Sequence, residues 1–105
     1  MPKASPKLST KTKTVPYDVA EQLRTPEEMA AYLDAWLTEA PEHASGIARA
    51  LGDIARAKGM SQVARDAGLS RESLYKALGE NGNPSFATIL KVAHALGVRL
   101  HAEAA

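Results

Sequence analysis

Cysteine is absent from this chain of 105 residues, and aromatic side chains are scarce, with one tryptophan, one phenylalanine and three tyrosines. The lack of cysteine excludes disulfide bonds, thiolate zinc sites and cysteine nucleophiles. No apolar run approaches the roughly 20 residues that span a bilayer, and no apolar stretch follows the N-terminal lysines as it would in a secretory signal. We therefore expect a cytoplasmic protein that does not contact a membrane.

The apolar residues that are present are mainly alanine and leucine, which favour helices. Hydrophobic residues make up 45% of the chain, so we expect most of it to fold as one domain, with or without a tail. A core of this size buries about 60–65% of the surface of the unfolded chain. This limit argues against a large enzyme with an enclosed cleft.

The formal net charge of +1 conceals three zones of different sign. Residues 1–15 carry four lysines and no acid, residues 16–43 carry seven acids against one arginine, and residues 44–105 carry eight bases against five acids. Such a division favours different surfaces for different partners. The alternative is a solvated acidic helix in front of an ordinary domain.

The composition divides the chain in a similar way. Residues 1–14 are rich in proline, serine, threonine and lysine and predict a disordered basic tail, which can contact DNA phosphates as a basic arm. Residues 15–43 form an acidic N-terminal helical segment. Residues 44–105 form a second helical region, which we interpret below as a DNA-binding domain.

The first long helix is predicted to begin at Thr25. Thr25 suits the N-cap and Pro26 the first helical position, and the acids Glu27 and Glu28 lie at the positive end of the helix dipole. The helix is expected to end before Pro41. A short turn around residues 17–23 is the candidate for a further element.

Four more helices are predicted from apolar spacing and glycine breaks, at about residues 42–58, 60–67, 70–78 and 85–96. The inner face of the last one is expected to hold Phe86, Ile89, Leu90, Ala93 and Leu96. Alternation over Val98–Ala102 predicts a short C-terminal strand. The fold class is therefore mostly α, with five or six helices and one short strand.

The segment Met60–Leu78, MSQVARDAGLSRESLYKAL, has the spacing of a helix-turn-helix. Ala64 is small enough for two helices to approach each other, Gly68 can adopt the positive φ of the turn, and Ser70 can cap the second helix. Leu69 is expected to fill the angle between the two helices, and Leu74 and Leu78 to point into the core. In such a motif the second helix lies in the DNA major groove.

Four side chains remain outward on that second helix. Arg71, on its first turn, can bond guanine O6 and N7, and Glu72 can accept from cytosine N4. Tyr75 and Lys76 can reach a base, a thymine methyl or a phosphate. The alternatives are that Arg71 and Lys76 are ordinary solvated charges and that Tyr75 is half-buried packing.

Phosphate contacts are expected on either side of this helix. Ser61 and Gln62 lie near the start of the preceding helix, whose N-terminus can face a phosphate. Asn83 and Ser85 flank the start of the next helix and offer a second clamp, although Asn83-Pro84-Ser85 is also simply a turn and cap. Ser70 is a helix cap first and a phosphate ligand second.

The stretch from Ile47 to Val98, with its ending NPSFATILKVAHALGV, resembles the lambda-repressor/Cro-like (Xre) helix-turn-helix domain. Residues 16–100 as a whole, including YDVAEQLRTPEEMAAYLDAWL, are similar to the HigA-like antitoxins of the addiction module antidote group. The resemblance implies a type II antitoxin that binds a small RelE/ParE-like (HigB-type) toxin and represses their shared operon. One departure is Met60, where many Xre domains have a phosphate-binding glutamine; Ser61 or Gln62 would have to replace that contact.

The toxins of this class are basic, so the acidic segment is the expected toxin-binding region. Its candidate anchors are Tyr32, Trp36 and Leu37, because aromatic residues are favoured at interface centres. The alternative is that these side chains only dock their helix onto the domain. A second hypothesis for the whole protein is a stand-alone Xre-family repressor without a toxin.

One recognition helix contacts few base pairs, so binding to double-stranded operator DNA is expected to need a homodimer on a two-fold site. The C-terminal helix and strand are the expected dimer contact, although the strand can also pair with residues 15–19. An enzyme is not expected. The histidines His43, His94 and His101 form no metal or catalytic spacing, and no cofactor is implied.

Overall fold

The structure is a computed structural model that describes residues 23–105. Five α-helices follow one another in this part of the chain: α1 (Pro26–Glu39), α2 (Ala44–Lys58), α3 (Met60–Ala67), α4 (Arg71–Ala77) and α5 (Phe86–Leu96). The predicted mostly helical fold is confirmed for these residues. The basic tail and the turn predicted before residue 23 lie outside the described residues.

The start of α1 is as the sequence predicts. The Thr25 hydroxyl oxygen accepts a 3.1 Å hydrogen bond from the Glu28 backbone N–H, and Glu28 Oε1 accepts one of 3.1 Å from the Thr25 N–H. This reciprocal pair is a capping box, and Pro26 occupies the first turn. The helix ends at Glu39, before Pro41.

The start of α2 differs from the prediction by two residues. The helix begins at Ala44 because the His43 side chain acts as its N-cap, with Nδ1 accepting a 2.9 Å hydrogen bond from the Gly46 N–H. Histidine is not among the residues that signal a cap in sequence. The boundary placed at Glu42 was therefore wrong.

The predicted strand at Val98–Ala102 is absent from the described part of the chain. Val98 is buried, and its N–H donates to the Ala93 carbonyl at 3.0 Å, which closes the end of α5. The apolar alternation of Val98 and Leu100 thus reflects packing against the core. A strand also needs a neighbour to pair with, and the chain segment suggested for that role, residues 15–19, lies outside the described residues.

One hydrophobic core holds the described helices together. α3 packs against α4 and α5, α2 packs against α3 and α5, and α1 packs against α2. The acidic helix α1 contributes Met29 and Leu33 to the same cluster that contains Leu51, Ile54 and Leu96. Removing α1 would therefore expose the core of the remaining helices.

The inner face of α5 was predicted only in part. The helix buries Val92, Ala93, Ala95 and Leu96. Phe86 is 68% exposed and Leu90 46% exposed. Each residue turns a helix by about 100°, so Leu90 lies beyond the edge of the buried sector, whereas Phe86 projects close to Ala93 but lies at the first position of α5, two turns earlier. No helix between residues 23 and 105 is long and apolar enough to cross a membrane.

Candidate functional site

The outward face of α4 brings together four of the side chains singled out in the sequence: Arg71, Glu72, Tyr75 and Lys76. All four are exposed, and they border a shallow, open depression walled mainly by carbon atoms. Leu74, on the other side of the same helix, is fully buried. The burial of Leu74 therefore fixes which face of α4 is presented to solvent.

The turn between α3 and α4 sets the position of that face. Gly68 has φ +72°, in the left-handed region, where a β-carbon would be strained. The Leu69 N–H donates to the Ala64 carbonyl at 2.8 Å, and the Ser70 hydroxyl oxygen accepts from the Ser73 N–H at 3.0 Å. Ala64 is buried. The turn conformation predicted for Gly68 and the helix cap predicted for Ser70 are confirmed.

Arg71 and Tyr75 form a pair on the exposed face. The Arg71 guanidinium carbon lies 5.3 Å from the centroid of the Tyr75 ring, and Arg71 Nη2 donates a 3.3 Å hydrogen bond to the Tyr75 hydroxyl. The two residues are one helical turn apart, so the contact is a cation–π stack along the helix surface. Tyr75 is 43% exposed and serves as a platform for Arg71.

The two serines predicted as caps do cap their helices. Ser85 Oγ accepts from the Thr88 N–H at 3.1 Å, as Ser70 does from Ser73. Each serine hydroxyl also donates to a neighbouring hydroxyl oxygen, of Ser73 at 2.8 Å and of Thr88 at 3.1 Å. A phosphate bound at either serine would have to compete with these local hydrogen bonds.

The remaining candidates for phosphate contact lie at helix starts. Ser61 and Gln62 are exposed on the first turn of α3, which has no side-chain N-cap. Met60, in front of them, is buried in the core. Asn83 is exposed in the loop that precedes α5. Met60 thus has a packing role, and the polar surface at the start of α3 belongs to Ser61 and Gln62.

Tyr32, one of the three aromatic or apolar candidates on α1, faces α2. Its hydroxyl donates a 2.8 Å hydrogen bond to Asp53 Oδ2, and Asp53 Oδ1 accepts a 2.8 Å bond from Arg56 Nη2. Burial raises the pKa of the Tyr32 phenol well above its ordinary value, and the nearby Asp53 carboxylate raises this pKa further. Tyr32 therefore docks α1 onto the rest of the fold.

Trp36 lies at the same junction. Its ring is 6.0 Å from the His43 ring, centroid to centroid, at an angle of 56°. A β-carbon on the buried Gly46 would come within 2.5 Å of Trp36 Cζ3 and would also clash with the His43 ring. The indole thus packs directly against Gly46, and a residue with a β-carbon at this position would clash with it.

Leu37 is the candidate on α1 that faces solvent, at 40% exposure. Around it, the outward side of α1 presents Ala30, Asp34 and Thr38, all exposed, with Glu27 at its N-terminal end. The sequence of α1 contains four acids and no base. This side of the helix is therefore acidic with a small apolar centre, whereas Tyr32 and Trp36 face inward.

The histidines do not come together. His43 caps α2, and His94 and His101 are exposed. Within residues 23–105, no group of three or more histidine and carboxylate side chains could hold a metal ion.

Sequence reasoning missed two features of the structure. Asp53, which receives the Tyr32 hydrogen bond, is 21 positions away, and no local pattern links the two residues. Phe86 and Leu90 were assigned to the core, although their spacing of four puts them together at its edge.

The sequence of the chain is similar to a known protein family and to one relative. Residues 13–104 match the family model described as "Probable addiction module antidote protein". An uncharacterized protein of Haemophilus influenzae (strain KW20 / Rd) is 53% identical over 87 residues, which cover 83% of this chain and 88% of the relative. No solved structure matches the chain.

Proposed function

Because the chain belongs to the family of probable addiction module antidote proteins, we propose that it is a HigA-like antitoxin of a type II toxin–antitoxin module. It neutralises a small basic RelE/ParE-like (HigB-type) toxin by direct binding and represses its own operon by binding DNA. It acts by binding alone, without catalysis or a cofactor. The alternative is a stand-alone Xre-family repressor.

The exposed face of α4 is the observation that carries the DNA-binding part. In an Xre-type helix-turn-helix, α3 would cross the DNA backbone and α4 would lie in the major groove. Arg71, on the first turn of α4, is then placed to meet a guanine edge, and Glu72 a cytosine amine. Lys76, one turn further, would neutralise a phosphate.

Phosphate contacts would fix the position of α4 on the duplex. The first turn of α3 has no side-chain cap, so its backbone N–H groups, together with Ser61 and Gln62, suit a phosphate. Asn83 and Ser85 would bind a second phosphate at the start of α5. Ser70 would contribute only after giving up its bond to Ser73.

Toxin binding is proposed for the outward side of α1. Its acids complement a basic partner, and Leu37 offers an apolar anchor at the centre. Trp36 and Tyr32 support this surface from behind by seating α1 on α2. They therefore affect toxin binding by fixing the position of α1. Trp36 directly precedes Leu37 in the sequence.

Self-association is proposed for α5. Phe86 and Leu90 are large apolar side chains, one turn apart and exposed, and an exposed apolar pair of this kind fits an interface. A two-fold dimer would place two copies of α4 on half-sites about 34 Å apart, one turn of DNA. The C-terminal helix thus keeps the role expected of it, without a strand.

A growth assay tests the antitoxin role. A short basic reading frame adjoining the gene is expressed alone and then with this chain, and we expect growth to stop in the first case and recover in the second. Leu37→Glu should abolish the rescue, because it removes the apolar anchor and puts a carboxylate where the partner would bury an apolar side chain. Phe86→Glu, which puts the same charge at an exposed apolar position on α5 instead of α1, is the matched control and should still bind toxin in a pull-down.

Binding to the DNA upstream of the gene distinguishes the alternatives further. A harmless neighbour combined with sequence-specific DNA binding by the chain would favour the stand-alone repressor. Rescue of growth without any specific DNA binding would leave an antitoxin that does not regulate its operon. Failure of both assays would contradict the proposal as a whole.

A further inference from the structure

The Arg71–Tyr75 pair has a geometry that selects a particular DNA target. We propose that it reads a guanine together with a thymine in the neighbouring base pair, as one composite element. Arg71 bonds the guanine edge while the Tyr75 ring covers the thymine 5-methyl group. This inference rests on the proposed DNA-binding function and names the bases that α4 recognises.

The first step is the state of Arg71 before it meets DNA. Its guanidinium already lies over the Tyr75 ring, at 5.3 Å, and is bonded to the Tyr75 hydroxyl at 3.3 Å. A stacked guanidinium keeps its outer N–H groups free to form the paired hydrogen bonds that fit guanine O6 and N7. Holding the side chain along α4 also reduces the entropy that it loses on binding.

The second step is the surface beside the guanidinium. The depression bordered by Arg71, Glu72, Tyr75 and Lys76 is walled mainly by carbon atoms, although three of these four residues are charged. The carbon comes from the tyrosine ring and from the methylene stems of the long side chains. A shallow apolar depression in the major groove fits a thymine methyl, which is the apolar group that base edges present there.

The third step is the spacing of the two bases. Successive bases on one strand rise by about 3.4 Å, so bases two steps apart are separated by about 6.8 Å along the duplex. The guanidinium and the Tyr75 ring lie 5.3 Å apart, so both can face neighbouring base pairs while the stack is kept, with the rest of the distance taken up across the groove. The proposal therefore places the guanine and the thymine in adjacent base pairs.

The Tyr75 hydroxyl has a separate role. It accepts the hydrogen bond from Arg71 Nη2 and so orients the guanidinium above the ring. Tyr75 is thus both a contact for the thymine methyl and a positioning residue for Arg71. The two roles can be separated, because phenylalanine keeps the ring and removes the hydroxyl.

The experiment starts with selection of duplexes from a random-sequence pool by the full chain. We expect a motif that contains a guanine with a thymine in the adjacent pair. Replacing that thymine by deoxyuridine removes only the methyl group and should weaken binding of the parent chain about fourfold, the value of one buried methyl-sized group. The same replacement should have no effect on Tyr75→Ala and the full effect on Tyr75→Phe.

A second modified base tests the arginine. Replacing the guanine by 7-deazaguanine removes the N7 acceptor and should weaken binding of the parent at least tenfold, while Arg71→Ala should bind both duplexes equally. The inference is overturned by an enriched motif without this base step, or by a deoxyuridine effect that is as large in Tyr75→Ala as in the parent. A pool from which no motif is enriched would instead overturn the proposed DNA-binding function, and the inference with it.

Discussion

The Tyr32 hydroxyl on α1 donates a 2.8 Å hydrogen bond to Asp53 Oδ2 on α2, across 21 positions of sequence. Asp53 is held in place by Arg56, one turn further along α2. The bond ties the acidic helix to the fold at a half-buried position, beside the apolar contacts of Met29 and Leu33. The position of α1 against the other helices therefore depends on one polar contact as well as on apolar packing.

Tyr32→Phe removes this hydrogen bond and keeps the ring. We expect a loss of about 1 kcal/mol in the free energy of unfolding, the usual net value of an internal hydrogen bond. Chemical denaturation followed by circular dichroism measures it. Tyr75→Phe is the matched control, because its hydroxyl is at the surface, and its cost should stay within about 0.5 kcal/mol. Equal losses in the two variants would contradict the account of the junction.

The contribution of Tyr32 to stability should disappear at alkaline pH. Burial first, and then the Asp53 carboxylate, raise the pKa of the folded phenol above its ordinary value of 10.0. Above about pH 10 the unfolded chain releases the Tyr32 proton while the folded chain retains it, so the unfolded state is favoured. The stability gained from Tyr32 is therefore fully present below pH 10 and falls as the pH rises towards the folded pKa.

Denaturation midpoints of the parent and of Tyr32→Phe, measured between pH 7 and pH 11, test this sign. The difference between the two proteins should be constant up to about pH 10 and then shrink. Other titrating groups are common to both proteins and cancel in the comparison. A difference that widens with pH would mean that the phenol is not held in its protonated form.

Gly46→Ala should displace the tryptophan. The new β-carbon would overlap Trp36 and the His43 cap, and overpacking of this kind typically costs about 1–3 kcal/mol. Trp36 is the single tryptophan of the chain, so the shift of its fluorescence emission reports on the junction directly. Gly68→Ala is the control: it meets open space and strains only the backbone, by about 1–2 kcal/mol, and should leave the emission unchanged.

Arg71→Ala and Lys76→Ala should weaken DNA binding in different ways. Loss of a bidentate contact with guanine should cost about 1–3 kcal/mol on the preferred sequence and relax specificity at that base pair. Loss of a phosphate contact should weaken binding to all sequences and reduce the slope of log K against log salt by about 0.9. Titrations at several salt concentrations separate the two, and a uniform loss for Arg71→Ala would reassign it to a phosphate.

Phe86→Glu should convert the proposed dimer to a monomer. Phe86 is the first residue of α5, where a negative charge is favourable to the helix dipole, so the fold should be retained. Sedimentation at micromolar concentration measures the association, with Leu37→Glu as a surface control that stays dimeric. A parent chain that is itself monomeric at these concentrations would refute the assignment of α5 as the dimer contact.

Local signals in the sequence predicted most of the described helices. Thr25, Ser70 and Ser85 cap the helices that follow them, as predicted, because a side-chain hydroxyl directly before a helix can accept a hydrogen bond from a free backbone N–H of the first turn. Gly68 ends α3 in the left-handed region, as its place before the next cap implies. These features depend only on residues within about four positions, so the local sequence is enough to predict them.

The features that were wrong or missed depend on distant residues. The imidazole cap at His43 and the hydrogen bond from Tyr32 to Asp53 arise from the way α1 meets α2. Alternation at Val98–Ala102 predicts a strand, but in the structure Val98 closes α5 against the core. Phe86 is apolar and helical, as predicted, but apolarity alone does not distinguish a core residue from an apolar residue on the surface.

The shared core of α1 and the other helices has a consequence for the durability of the protein. A ligand that binds only the folded state stabilises it by RT ln(1 + [L]/Kd), about 2.7 kcal/mol at a free concentration 100 times Kd. Because α1 is packed into the same core as α2 and α5, a partner held on α1 would protect the whole described fold, including α4, against unfolding and proteolysis. The supply of its partner would then set the lifetime of the antidote.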